Sequence, residues 1–332
     1  MASGGAIMKN RFTGPMGKVM KQHLELRRSL GFLLKGSEYN LDEFDRYLSV
    51  HFPTTRTISR SMVTQYLRTV KHKHPKSQSD RVTSLRQFAR YLFQFDPSVY
   101  IPERSLTPKA ITTVKPYIYS ESEIQLLIQK ARTLSVVRSP MVPHTYVAVI
   151  GLLWVSGLRI GEAMKLNLED VDLEEGVLTI RQTKFFKSRL VPLSPSSIAA
   201  LSKYKELRLE QWPHQFQPDT PFFINRDGVR CDKSTTGKAI QGLIRELGFS
   251  TIQGRFPRVH DIRHSFATHS LASFYQDGKD PSALLPVLAT FLGHANIANT
   301  QVYLHPSVAL LEKAGCQFHR YISRKEVEHE KK

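Results

Sequence analysis

Five side chains in the C-terminal part of this 332-residue chain could act together on a phosphate ester. His260 and Arg263 lie three residues apart, His294 follows in a Leu-Gly-His triplet, Tyr303 comes nine residues later, and Arg159 precedes His260 by 101 residues. An arginine can bind two phosphate oxygens at once, a histidine can accept a proton, and a tyrosine hydroxyl can attack phosphorus. Together these groups could cleave a DNA strand without a metal ion.

Each of these residues also has an ordinary structural explanation. A single tyrosine such as Tyr303 is more often a surface or core residue, and a single histidine such as His294 more often makes structural hydrogen bonds. Arg159 could lie on a helix surface, while His260 and Arg263 could share a helical face without having any function. The interpretation as a catalytic site therefore depends on their joint occurrence.

The charge of the chain favours a polyanionic partner. There are 47 lysines and arginines against 29 aspartates and glutamates, which gives a formal net charge of +18. Residues 1–115 contain 20 basic and 8 acidic residues and so carry +12 of this excess. This distribution predicts an N-terminal module that binds double-stranded DNA and a more balanced C-terminal module that contains the reactive residues. A basic surface that only keeps the protein soluble is the alternative.

Composition argues against several other classes of protein. Hydrophobic residues make up 41% and charged residues 23% of the chain, as in soluble globular proteins. Cys231 and Cys316 lack the spacing of zinc ligands, so neither a disulfide framework nor a metal site is expected. No apolar run is long enough to span a membrane, and the N-terminus lacks the apolar core of a secretory signal. We expect a cytoplasmic, nucleoid-associated protein with no cofactor and no membrane partner.

Sequence periodicity predicts a mainly α-helical protein with a small β-sheet. Two strands are expected within residues 176–193, on either side of the turn Lys184–Lys187. Capping boxes are expected at Asn40–Glu43 and Ser120–Glu123, and a long apolar helix could be broken near Gly157. Helices are predicted from residue 40 onwards and at 19–34, 59–70, 77–95, 124–134, 144–166, 196–212, 235–247, 260–274, 281–292 and 308–319.

These elements predict a modular chain. A flexible N-terminus (1–17) would precede a helical DNA-binding domain (18–96), and a linker (97–117) would lead to the catalytic domain (118–306). A C-terminal helix and tail would follow (307–332). The linker prediction rests on weak periodicity and on four prolines, which are Pro97, Pro102, Pro108 and Pro116.

Several motifs resemble those of the tyrosine recombinases, the phage integrase family. Ser156-Gly-Leu-Arg-Ile-Gly-Glu162 resembles the family's first box, in which Glu162 would support the arginine. The segment Lys184–Leu193 is similar to the family's β-hairpin, although Phe185-Phe186 replaces the small residues frequent in its turn. The resemblance implies six catalytic residues, in the family's usual order: Arg159, Lys184, His260, Arg263, His294 and Tyr303.

The resemblance also implies a role for each residue. Tyr303 would attack the scissile phosphorus and form a 3′-phosphotyrosine, while the two arginines and His294 stabilise the charge on the phosphoryl oxygens. His260 would accept the tyrosine proton. Lys184, with Lys187 as the reserve candidate, would protonate the leaving 5′-oxygen.

By the same resemblance, a helical core-binding domain and a mixed α/β catalytic domain would form a C-shaped clamp around duplex DNA. Strand exchange would proceed through a Holliday junction in a tetramer, with the helix at 308–319 docked on a neighbouring protomer. Packing of that helix within its own chain is the alternative. Accessory proteins could also take part.

Basic residues in both modules are candidate contacts to DNA. For the turn at residues 71–76, a solvated loop is an equally good interpretation. The candidates are Lys71, Lys73, Lys76, Arg81, Arg86, Lys187 and Arg189.

The predicted function is site-specific DNA recombination that integrates, excises or transposes a mobile element. The enzyme would be of the simple type, because the N-terminal region is too short for an additional arm-binding domain. Two alternatives remain open, a DNA-binding regulator of the same fold that does not cut, and a type IB topoisomerase. A metal-dependent nuclease is disfavoured, because no Asp/Glu cluster accompanies the arginines and histidines.

Overall fold

The computed structural model divides into two compact units, residues 1–114 and residues 115–332. It describes residues 11–32, 34–107, 116–136, 140–181, 188–250, 254–276 and 281–293, together with residues 296 and 300. Helices predominate, and the described strands form one small antiparallel sheet. The predicted fold class, mainly α with a small sheet, is confirmed.

The first unit is helical. Its elements are α1 (Gly17–Ser29), α2 (Lys35–His51), α3 (Arg60–Thr69), α4 (Pro75–Phe93) and a 3₁₀ turn (Arg104–Leu106).

The second unit combines helices with the sheet. Its elements are α5 (Glu121–Arg132), α6 (Met141–Ser156), α7 (Ile160–Ala163), a 3₁₀ turn (Leu168–Asp170), β1 (Val171–Asp172), β2 (Val177–Ile180), β3 (Arg189–Pro192), α8 (Pro195–Gln211), α9 (Lys233–Glu246), α10 (Asp261–Gln276) and α11 (Pro281–Leu292).

Of the two capping boxes predicted from the sequence, one is confirmed and one is wrong. Ser59 accepts a hydrogen bond from the amide of Met62 at the start of α3, and the Ser120–Glu123 capping box opens α5 as expected. The capping box at Asn40 is wrong. Asn40 lies inside α2, buried, and its amide donates to the Ser84 hydroxyl of α4 at 3.1 Å. The Asn40 side chain, which the local pattern predicted to cap a helix, therefore forms a tertiary hydrogen bond between α2 and α4 instead.

The end of the predicted flexible N-terminus, residues 1–17, is instead packed into the first unit. Phe12 and Met16 are buried in its core. The amide of Phe12 donates to Asp42 at 3.1 Å, and the amides of Gly14 and Met16 donate to Asp45 at 2.7 and 3.2 Å. Two carboxylates of α2 therefore fix this segment by binding its backbone donors. Residues 1–10 lie outside the described residues.

The predicted linker, residues 97–117, begins too early. Val99 belongs to the core of the first unit, and Arg86 donates to the Pro102 carbonyl. The prolines weaken helical periodicity without preventing this stretch from packing, because an extended chain can still bury its apolar side chains.

In the second unit, the apolar helix α6 lies at the centre of the core and packs against α5, α8 and α10. It ends at Gly157, where φ is +59°, so the predicted break near this residue is confirmed. The sheet has the order β1-β2-β3, and Leu178 of β2 pairs with Val171 and Val191. The two predicted strands are present, and β1 was missed because two residues carry too little periodicity to be recognised. The hairpin turn, residues 182–187, lies outside the described residues.

Arg81 was predicted to contact DNA, but the structure places it inside the first unit. Its side chain is only 4% exposed, and its Nη2 lies 2.7 Å from the Glu43 carboxylate. It also donates from Nη1 to the Ser77 carbonyl at 3.0 Å. The Tyr66 hydroxyl donates to the same carboxylate, and Lys73 forms an ion pair with it at 2.9 Å. Arg81 therefore links α4 to α2 and is withdrawn from the DNA contacts.

Replacing Arg81 with glutamine should destabilise the protein, because Glu43 would lose its most buried cationic partner. We expect the free energy of unfolding, measured by urea titration, to fall by about 2–3 kcal/mol. The control is Lys76→Gln, since Lys76 is 74% exposed in its ion pair with Asp80, and such a pair contributes less than about 1 kcal/mol. Weaker DNA binding by Arg81→Gln at unchanged stability would restore the original assignment.

Candidate active site

The structure describes four of the seven residues expected to act in or support catalysis. Arg159, Glu162, His260 and Arg263 are described. The other three, Lys184, His294 and Tyr303, lie outside the described residues, as does Lys187.

Arg159 presents a cation at the start of α7. Its backbone is extended, and its amide donates to the Glu162 carboxylate at 3.1 Å. Its Nη1 lies 2.8 Å from Oε1 of the same carboxylate, while the side chain remains 40% exposed. Glu162 therefore orients both the backbone and the guanidinium of Arg159 and leaves the cation accessible to a ligand.

Arg263 is the buried counterpart, in the first turn of α10. Its side chain is 2% exposed, and Nη1 lies 3.9 Å from Oε2 of Glu162. Nη1 also donates to the Gly157 carbonyl at 2.8 Å, and Nη2 donates to the Leu292 carbonyl at 2.7 Å. A guanidinium held by two backbone carbonyls keeps its position before any substrate binds.

Gly157 makes this arrangement sterically possible. Its φ of +59° is strained for a residue with a side chain, and a Cβ built there would lie 2.4 Å from Cδ1 of Phe266. Glycine therefore lets α6 end against α10 and turn its carbonyl towards Arg263. The glycine of the first box and the arginine of the second box are joined directly.

Arg189, expected to contact DNA, is also an internal residue. Its Nη2 lies 2.9 Å from Oε2 of Glu162, and its side chain is 9% exposed. Its Nε donates to the Phe291 carbonyl at 2.8 Å. The structure thus removes Arg189 from the surface candidates and adds it to the arginines around Glu162. This role of Arg189 could not be predicted from the sequence, because nothing local in residues 184–193 identifies a partner that lies 27 residues upstream of it.

Glu162 remains charged in spite of its burial. Burial alone would raise the pKa of its carboxyl group, but the hydrogen bond and charge of Arg189, followed by the interactions with Arg159, hold that pKa below its ordinary value. One carboxylate therefore serves three guanidiniums, those of Arg159, Arg189 and Arg263. The cluster keeps a net positive charge of two, which suits a phosphate diester.

His260 immediately precedes α10, which begins at Asp261, one residue later than predicted. Desolvation lowers the pKa of its imidazole to about 4, and the charges of His264, Arg263 and Arg258 act in the same direction. The His264 ring lies edge-on at 5.0 Å between centroids. At neutral pH His260 is therefore uncharged, which is the form that can accept a proton.

The arginine boxes and the helices of the second unit fall within a region that matches a known family model. The match is to the phage integrase family and covers residues 119–309, more than half of the chain. The chain belongs to the phage integrase family.

Two relatives agree with this assignment, and one solved structure has the same fold. The protein y4rB of Sinorhizobium fredii, assigned as an integrase/recombinase, is 37% identical over 301 residues, which are 90% of this chain and 95% of y4rB. Tyrosine recombinase XerD of Oceanobacillus iheyensis is 30% identical over 297 residues, covering 86% of this chain and 91% of XerD. The Tn1549 transposon integrase, solved with transposon right end DNA, has the same fold, with a TM-score of 0.63, 18% identity, and coverage of 91% of this chain and 98% of that one. The protein is a tyrosine-type site-specific recombinase.

The remaining DNA candidates of this recombinase differ in how exposed they are. Lys71 and Lys76 are exposed, whereas Lys73 forms an ion pair with Glu43 and Arg86 binds the Pro102 carbonyl. Lys76 also pairs with Asp80 but stays 74% exposed, so Lys71 and Lys76 are the members of this set whose ammonium groups are most accessible to a DNA phosphate.

Neither a metal site nor a membrane span is found in the described parts of the recombinase. No three His, Cys, Asp or Glu side chains there are grouped so that they could bind a metal ion. None of the helices described is both long and apolar enough to cross a membrane.

We expect His260 to stay neutral in the free recombinase throughout the neutral pH range. An NMR titration of the imidazole signals, with His260 assigned by its loss in His260→Asn, should give a midpoint near pH 4. The folded protein binds this proton more weakly than the unfolded chain, so the His260 contribution to stability falls as pH drops from 6.5 towards 4. A midpoint near 6.5 would show that burial does not desolvate the ring as the structure indicates.

Proposed function

We propose that this recombinase cleaves and rejoins specific DNA sites through a covalent bond between Tyr303 and a 3′-phosphate. The observation that supports the proposal most directly is the convergence of Arg159 and Arg263 on Glu162. The two arginine boxes are far apart in sequence, since Arg263 follows Gly157 by 106 residues and yet donates to its carbonyl. Two guanidiniums that share one carboxylate are suited to hold the nonbridging oxygens of one phosphate.

The positive charge of the arginine cluster is suited to the negative charge that the phosphate gains during the reaction. A phosphodiester carries one negative charge, and the five-coordinate transition state formed by nucleophilic attack carries about two. The net charge of two on the arginine cluster therefore stabilises the transition state more than the ground state, which is what accelerates a reaction. We propose that His294 adds a hydrogen bond to these oxygens.

The proton transfers are assigned to two further residues. The Tyr303 oxygen forms a bond to phosphorus as the bond from phosphorus to the 5′-oxygen breaks. His260, neutral at pH 7, accepts the phenol proton, and Lys184 donates a proton to the leaving oxygen. The 5′-hydroxyl of a partner duplex then attacks the phosphotyrosine, so rejoining needs neither ATP nor, in this scheme, a metal ion.

The biological setting is proposed from the sequence and the relatives together. Double-stranded DNA is the partner, bound by both units, and strand exchange passes through a Holliday junction in a tetramer. The helix predicted at 308–319, which lies outside the described residues, would join the protomers. The likeness to a transposon integrase supports integration, excision or transposition of a mobile element. The likeness to tyrosine recombinase XerD is equally compatible with site-specific recombination that involves no mobile element.

A covalent-trap assay tests the chemistry. Target sites are first selected from random duplexes by binding to Tyr303→Phe, and one strand is then nicked beside the cleavage position so that the reaction cannot reverse. In EDTA, wild-type protein should form an adduct with DNA that resists denaturant, and Tyr303→Phe should form none.

Each other result of this assay has a definite meaning. An adduct that persists in Tyr303→Phe would show that another residue is the nucleophile. Specific binding by the wild type without an adduct would favour a non-cutting regulator. Relaxation of supercoiled plasmids that lack the selected site would favour the topoisomerase, whereas exchange between two selected sites would support recombination.

Arg159→Ala should slow adduct formation by about 100-fold to 1,000-fold, because it removes one charged donor from the transition state. Single-turnover rates at saturating protein measure this effect separately from binding. The control is Arg226→Ala, since Arg226 is 64% exposed and pairs only with its neighbour Asp227 among the ion pairs described. Equal rates for the two variants would remove Arg159 from the catalytic set.

A further inference from the structure

Arg189 connects three parts of the site without being one of the family's catalytic residues. It begins β3, and its guanidinium contacts both carboxylate oxygens of Glu162, with Nη2 at 2.9 Å from Oε2 and Nη1 at 3.4 Å from Oε1. Its Nε donates to the Phe291 carbonyl in the last turn of α11. A single side chain thus joins the sheet, the first arginine box and the end of α11.

The turn after α11 is shaped to accept this guanidinium. Gly293 has a φ of +67°, and a Cβ built on it would lie 2.6 Å from Nη1 of Arg189. Any side chain at this position would therefore collide with Arg189. On the neighbouring residue, the Leu292 carbonyl accepts a hydrogen bond from Arg263. Arg189 and Arg263 thus hold the carbonyls of Phe291 and Leu292, and Arg189 fills the space that a side chain at Gly293 would need.

We propose that Arg189 is a positioning residue for strand cleavage, which shares the charge of Glu162 with Arg159 and fixes the Leu292–Gly293 turn beside Arg263. This inference rests on the proposed cleavage through Tyr303. Arg189 acts through these neighbours, because each of its three guanidinium nitrogens donates to one of them: Nε to the Phe291 carbonyl, and Nη1 and Nη2 to the Glu162 carboxylate.

The electrostatic part of the role follows from the ion pairs around Glu162. With Arg189 present, Glu162 offers Oε2 to Arg189 and Oε1 to Arg159, and the cluster has a net charge of two. Without Arg189 the net charge falls to one, and Arg159 becomes the closest cation to the whole carboxylate. An arginine that pairs with both oxygens of Glu162 binds a phosphate less well, because its donors are already used.

Substitutions at Arg189 should therefore affect cleavage more than DNA binding. We expect Arg189→Gln to slow single-turnover adduct formation by about 100-fold and Arg189→Lys by about 10-fold, with affinity for the selected site changed less than about 3-fold. Lysine keeps the charge but cannot bind Glu162 and the Phe291 carbonyl at once.

A double variant separates this role from a purely structural one. In Arg189→Gln with Glu162→Gln, the cluster regains a net charge of two, so adduct formation should recover by about 10-fold relative to Arg189→Gln alone. If Arg189 only supported the fold, the cleavage rate would not recover in the double variant. That variant loses the buried contacts of both Arg189 and Glu162, whereas Arg189→Gln loses those of Arg189 alone.

Arg208 provides the matched control for burial. It is fully buried and donates to the carbonyls of Pro221 and Gln215, away from the Glu162 cluster. Arg208→Lys should lower the melting temperature and leave the cleavage rate of the folded protein unchanged. If Arg189→Gln does not fold, the cleavage rates of Arg189→Lys and Arg208→Lys are compared instead. Equal rates for these two variants would overturn the inference.

The test distinguishes this inference from the proposed function. No Tyr303-dependent adduct from the wild type means that the proposed function fails, and the positioning role fails with it. A normal wild-type adduct, together with wild-type rates for Arg189→Gln or no recovery in the double variant, overturns the positioning role alone.

Discussion

The second unit depends on one buried carboxylate, Glu162, placed among three guanidiniums. Three cations this close would repel one another, and a single buried carboxylate would be costly without partners. Together they are stable, and the remaining positive charge is available for a phosphate. The elements around them each supply one part: α7 carries the acid, and β3, α10 and the residue before α7 carry the arginines.

Backbone carbonyls hold Arg263 in addition to its ion pair with Glu162. Arg263 binds the carbonyls that end α6 and α11, at Gly157 and Leu292, so the buried cation takes its position from helix ends that already lack backbone partners. Arg159 has no such restraint in the described contacts beyond Glu162 and is 40% exposed. The site therefore combines one arginine fixed in advance with one that can adjust to the substrate.

Sequence predicted the parts of the molecule that depend on local pattern. The cap at Ser120, the break at Gly157 and the strands on either side of the hairpin follow from neighbouring residues, and all are present. Predictions were wrong where a contact with a residue distant in sequence determines the role of a side chain. Asn40 looked like a cap but binds Ser84, and Arg189 looked like a DNA contact but binds Glu162. A basic side chain has the same appearance in sequence whether its anion is a phosphate or a carboxylate of the same chain.

This ambiguity also limits what net charge can say about DNA contacts. An internal ion pair adds nothing to net charge, so the excess of +18 measures the cations left over after pairing. That excess still attracts DNA at long range. It does not identify the contacting residues, because Arg81 and Lys73 share Glu43, whereas Lys71 is exposed in the same basic turn as Lys73. The net charge of the sequence therefore indicates long-range attraction to DNA. The residues that contact DNA must be assigned from the exposure and the ion pairs of each side chain in the folded chain.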